Sequence, residues 1–128
     1  MAITKIIFDH NGENLSIELS YKGLIAASYT YTLWEADSND IVEQKKGNNL
    51  NSMDDKYTLP SPVSSNSGRL VDIHSTIHGL YDNADEGEFM IIITIKQGDQ
   101  AISQIEFPEN KTIIGTHTIA HQHYILLL

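Results

Sequence analysis

Three of the six histidines fall in one run near the carboxy terminus, HTIAHQHYILLL (117–128): His117, His121 and His123. Neutral imidazoles bind zinc at ~2.0–2.2 Å, and zinc wants three or four such ligands. The run is rich in Ile, Leu, Thr and Tyr, so it reads as a β-strand, which rises ~3.3 Å per residue and alternates faces. Residues two apart then lie ~6.6 Å apart on one face, and residues four apart lie ~13 Å apart. His121 and His123 can share an ion on that spacing, and His117 cannot. The same test on RLVDIHSTIHGLY (69–81) passes Asp72 with His74 and fails His74 with His78. A transition-metal site, zinc or another divalent ion, would therefore combine His121 and His123 with Asp72 or His74, provided the two strands pair. The competing reading is that these histidines sit singly on the wet face of a strand.

Two other groups could bind something. The acidic segment DNADEGE (82–88) offers Asp82, Asp85 and Glu86 as oxygen ligands for Ca²⁺, which takes six to eight of them from flexible loops. It does not follow the EF-hand template, because Ala84 stands at the third position and Ile93 at the twelfth. A loop-end calcium site would need a second loop, such as Asp37-Ser38-Asn39-Asp40. Trp34, the single tryptophan, has the opposite parity to Tyr29, Tyr31 and Leu33 and lies near a strand end. An exposed indole there would stack on a sugar or anchor a protein partner.

The spacing Gly115, five residues, His121, one residue, His123 resembles the first motif of the cupins, β-barrel proteins of which many hold a metal with such a histidine pair. That resemblance implies a barrel and a metal. It spans nine residues, and no glutamate follows His123 in Tyr124–Leu128, as the cupin pattern requires. Cupin activity is not carried over.

The elements that must position these residues are strands. Period-two alternation recurs between Gly, Asn, Asp and Pro punctuation, and no helical repeat appears. AITKIIF (2–8) and LSIELSY (15–21) flank Asn11-Gly12, which suits a tight turn and predicts an opening hairpin with Phe8 opposite Leu15. LIAASYTYTLWEA (24–36) puts Ile25, Ala27, Tyr29, Tyr31 and Leu33 on one face. IVEQ (41–44) reads as a short edge strand, 45–55 as a polar loop, KYTLP (56–60) as a short strand and 61–68 as a loop. In 69–81, Val71, Ile73, Ile77 and Tyr81 share one face; Asp72, His74, Thr76 and His78 share the other. FMIIITIK (89–96) is apolar enough for a strand buried on both faces or covered by a second sheet. For AISQIEF (101–107) two registers compete: Ile93 opposite Gln104, or Ile93 opposite Ile105. The segment from Thr112 to Leu128 is too long for one ordinary strand and should break near Gly115. YILLL (124–128) is apolar on both faces, as a central strand or an oligomer interface would be.

These seven to nine strands predict a single all-β domain over 1–128. An antiparallel β-sandwich of immunoglobulin-like or jelly-roll type comes first and a closed barrel second. Absence of cysteine removes thiol nucleophiles, thiolate sites and disulfides. Seventeen acidic residues against eight basic ones, a net charge of −9, disfavour nucleic acid and anionic membranes; such acidity commonly serves solubility, and its functional alternative is attraction of a cation or basic partner. No stretch reaches the ~20 apolar residues of a membrane span. The amino terminus lacks the features of a secretory signal, so the cytoplasm is the default location. No catalytic motif is present. The leading expectation is a non-catalytic binding or protein-interaction module, contacting a protein, small-molecule or carbohydrate ligand through loops 36–40, 61–68 and 82–88 and Trp34. A metal-binding barrel and a homo-oligomeric structural subunit are the alternatives.

Overall fold

A computed structural model of the chain describes residues 2–50, 55–108 and 112–128. Its described residues form nine strands and one 3₁₀ turn: β1 (Ala2–Ile6), β2 (Leu15–Lys22), β3 (Ile25–Trp34), β4 (Ile41–Asn48), β5 (Asp55–Thr58), the turn Val63–Asn66, β6 (Leu70–Gly79), β7 (Met90–Gln97), β8 (Gln100–Phe107) and β9 (Thr118–Leu127). They build two sheets, ordered β1-β9-β6-β3-β4 and β5-β2-β7-β8. The two pack face to face as a β-sandwich, and neither closes on itself, so the barrel alternative falls. No helix among the described residues is long and apolar enough to cross a membrane.

Period-two patterning sets which side chains meet between the sheets. Ile25, Ala27, Tyr29, Tyr31 and Leu33 of β3 face Leu15, Ile17 and Leu19 of β2 and Ile91, Ile93 and Ile95 of β7, all buried. β6 adds Val71, Ile73 and Ile77, and β9 adds Ile125 and Leu127. Outward residues of β7 are only half-buried, so this apolar strand is covered by the opposite sheet on one face.

The predicted opening hairpin is overturned. β1 runs parallel to β9, with Thr4 opposite Ile125, while β2 lies in the other sheet between β5 and β7. The Asn11-Gly12 turn is real but local. The Asp9 carboxylate accepts the Asn11 N–H at 2.9 Å, and Gly12 N–H donates to the Asp9 carbonyl. The Gln97 side chain, by bonding Asp9 N–H, Asp9 C=O and Glu13 C=O, holds this link as an arch from one sheet to the other. Ile6 and Phe8 are buried as their parity demands; they reach the core from the wall opposite Leu15.

β4 also extends further than expected. It continues through Lys45-Lys46-Gly47 to Asn48, paired with β3 from Ser28 onward; of the predicted loop, residues 51–54 lie outside the described part. As an edge strand it needs no apolar alternation, and its charged side chains disfavour further strand addition. Between β7 and β8 the competing registers are reconciled. Gln97 pairs with Gln100 across Gly98-Asp99, and an irregularity past Ile95 brings Ile93 opposite Ile105. The extra residue lets a two-residue turn coexist with the better-burying register. The terminal segment breaks where predicted: Gly115 has φ 55° and β9 starts at Thr118.

Candidate functional site

The strands carrying the predicted metal ligands do pair. In the antiparallel β6–β9 ladder Asp72 is opposite Tyr124, Ile73 opposite His123, His74 opposite Gln122 and Ser75 opposite His121. That register sends the four candidates to opposite sides of the sheet. His121 and His123 point into the sandwich, whereas Asp72 and His74 point outward, so Asp72 and His74 cannot complete the pair. The wet-face reading of the two histidines is equally overturned: His123 is 6% exposed. His121 stacks on Phe107 of β8 at 3.6 Å between centroids, and the two imidazoles lie 6.0 Å apart. His123 Nε2 bonds the Thr4 hydroxyl at 2.8 Å, and buried His121 Nε2 has no partner among the described residues. Burial holds both pKa values below the ordinary histidine range, helped for His121 by neighbouring His123. Among the described residues no third His, Asp or Glu joins them in a metal-sized group.

The calcium combination does not converge either. Trp34 at the end of β3 is opposite Leu70, and Ile25 at its start is opposite Gly79. The loop after Trp34 and the loop after Gly79 therefore leave opposite ends of the same ladder, ~30 Å apart for ten residues. Asp82, Asp85 and Glu86 remain exposed on their own loop.

Three other sequence candidates do meet. Trp34, Asp72 and the loop Asp37-Ser38-Asn39 line a cleft of about 520 Å³ on the outer face of the five-stranded sheet, with Ile3, Glu35, Gly68, Leu70, Tyr124 and Leu126. The floor follows from two neighbouring cross-strand rows. One runs from Trp34 on β3 through Leu70 on β6 to Leu126 on β9; the next runs from Asp72 through Tyr124 to Ile3 on β1. Asp72 organises it. Its Oδ2 accepts the Trp34 Nε1–H at 3.3 Å and its Oδ1 accepts a Gln122 Nε2–H at 3.0 Å. This bond ties the indole N–H of Trp34 to the floor of the cleft. Tyr124 stands next to Asp72 on the other side.

The rim is equally defined. Glu35 accepts two Arg69 donors at 3.0 and 3.1 Å, which holds its carboxyl below the usual carboxylate range. Arg69 also donates to Asn66 Oδ1 at 3.1 Å, tying loop 61–68 to loop 35–40 at this end of the sandwich. Asp37 adopts φ 51°, the left-handed conformation that Asp and Asn tolerate best among non-glycine residues. So loops 36–40 and 61–68 flank one site, and loop 82–88 does not belong to it.

A second depression of about 550 Å³ near Gly12–Ser16, Lys56 and Asp99 is lined mainly by polar and turn residues, with no aromatic among the described residues. Sequence reasoning missed Tyr124, Leu70, Leu126 and Ile3. Their outward parity was readable strand by strand, but their convergence depends on the order β3-β6-β9-β1, which no local signal encodes. No protein-family model, curated protein or solved structure matches the chain. The site is therefore argued from its own chemistry.

Proposed function

We propose that the protein is a non-catalytic binding module and that it holds its ligand in the outer-face cleft of Trp34, Asp72, Tyr124 and loop 37–39. The observation that carries this reading is the convergence of two aromatic rings, an apolar floor and a rim of polar loop residues in one concavity of about 520 Å³. That combination, concave and largely apolar with a few placed polar groups, is what small-ligand sites have in common. It also needs no nucleophile, cofactor or metal. The inward histidine pair supports the metal-centred alternative less well, because its two candidate co-ligands lie across the sheet from it.

The test is an amide and indole N–H chemical-shift map of the protein against a panel of small ligands, short peptides and oligosaccharides. Binding should perturb the Trp34 indole, residues 37–39, 72 and 124, and disappear in Trp34→Ala without loss of fold. Perturbations centred on loop 82–88 or on His121 and His123 would overturn the assignment.

A further inference from the structure

The cleft's lining is lopsided in charge and in hydrogen-bond capacity. Among the described residues three carboxylates line it, Glu35, Asp37 and Asp72, and no Lys, Arg or His does. Arg69 neutralises Glu35 from the side with a side chain only 12% exposed, which leaves Asp37 and Asp72 without a cationic partner among the described residues. Lys5, next to Leu126 along the ladder, lies outside the lining. The floor's obvious donor, the Trp34 indole N–H, is already committed to Asp72. Side-chain donors are then the Ser38 and Tyr124 hydroxyls and the Asn39 amide, set against three carboxylates and two aromatic rings.

A sugar could use those donors and acceptors, but it would bring no charge to set against Asp37 and Asp72. A cation with apolar substituents fits all of it. Aromatic faces attract ammonium groups, most strongly for Trp. Carboxylates beside them add a Coulomb contribution, and Ile3, Leu70 and Leu126 accept the apolar part. The net charge of −9 raises the local concentration of cations around the whole molecule.

We infer that the ligand of this cleft is a small organic ammonium ion, its cationic head over Trp34 between Asp37 and Asp72 and its apolar groups on Ile3, Leu70 and Leu126. This rests on the cleft being the binding site.

The test uses an isosteric pair, choline and 3,3-dimethylbutan-1-ol, which share a shape and differ in charge, with maltotriose as a neutral polyol. Trp34 is the single tryptophan, so its emission reports on the cleft alone. Choline should shift that emission saturably and bind about tenfold more tightly than the alcohol. Raising salt from about 0.05 M to about 0.5 M should weaken choline and leave the alcohol unchanged. Asp37→Asn, which keeps the left-handed conformation, should weaken choline about threefold, the modest effect of an exposed charge. Equal binding of choline and the alcohol, or a response to maltotriose alone, would overturn the cation and leave the cleft standing. No response to any of the three would count against both.

Discussion

Two polar clusters sit between the same two sheets, at opposite flanks, and they are built on different terms. Toward β4 and β5 the cluster is tyrosine. Tyr21 bonds the Ser75 hydroxyl at 2.8 Å, Tyr29 bonds Tyr57, and Tyr31 donates to Glu43 at 2.7 Å. Tyr31 and Tyr57 stack at 5.4 Å, and Tyr21 and Tyr29 at 5.8 Å. Toward β1 and β8 the cluster is histidine: His121 on Phe107, and His123 bonded to Thr4. All of those tyrosine hydroxyls have a partner, whereas His121 Nε2 has none among the described residues. Burial acts on both flanks in the direction of the neutral form. It pushes the Tyr21 pKa up to about 12 and those of Tyr29 and Tyr31 up as well; it pushes those of His121 and His123 down. A tyrosine is neutral at physiological pH in either state of folding, so its burial adds no pH dependence there. A histidine ordinarily titrates near 6.5, so its burial makes the histidine flank the acid-sensitive side of the core.

The sharpest way to break the comparison is to remove bulk from the tyrosine side. Tyr31 is fully buried, and Tyr31→Ala should cost about 3–5 kcal/mol in denaturant-unfolding free energy, as truncating a large aromatic does. A loss under about 1 kcal/mol would mean that this flank is loosely packed. Next in size is the effect of acid. Because the folded-state pKa values of His121 and His123 lie below the unfolded value of about 6.5, the unfolded chain binds more protons in the window between them. Stability is therefore full above about pH 6.5 and falls as pH drops toward the lowered folded values, by up to ~1.4 kcal/mol per pH unit for each histidine. His121→Phe combined with His123→Gln should flatten that part of the stability-pH curve, and an unchanged slope would place the acid sensitivity elsewhere. Smaller again is Tyr31→Phe, expected to cost about 1 kcal/mol at neutral pH for the lost bond to half-exposed Glu43. Equal costs for Tyr31→Phe and Tyr31→Ala would show that the hydroxyl, not the ring, matters on this flank.

How far these features could be read from the sequence depended on whether they are local. The inward faces of β3 and β6 follow from strict alternation, as at Tyr29, Tyr31 and Leu33 or Val71 and Ile73, and they are buried as that alternation requires. β9 defeats the same argument, because Tyr124 and Leu126 on one parity are as apolar as Ile125 and Leu127 on the other. The register with β6 decides, and it turns the histidines inward. Asn11-Gly12 is a sound turn signal, yet the partner of β1 lies more than a hundred residues away and no local pattern could name it. Parity and its place near a strand end mark Trp34 in the sequence; the bond its indole N–H donates to Asp72 needs β3 and β6 side by side.

The smallest expected effect distinguishes a structural histidine from a functional one. His121→Phe replaces an imidazole already stacked on Phe107 with a ring of similar shape, and it removes the buried nitrogen that has no partner. Replacing an unsatisfied polar group with an apolar one of the same shape is often neutral or stabilising. Above pH 7, where both histidines are neutral, the variant should therefore unfold within about 0.5 kcal/mol of the parent or be more stable. A loss of about 2 kcal/mol or more would mean that Nε2 makes a bond of value, to a buried water or a bound ion, and would return this pair to the list of sites. A cleft variant such as Asp37→Asn, on the outer face of the same sheet, should leave the unfolding curve in place whichever way His121→Phe falls. Choline binding should in turn survive His121→Phe, because the pair and the cleft occupy opposite faces of β9.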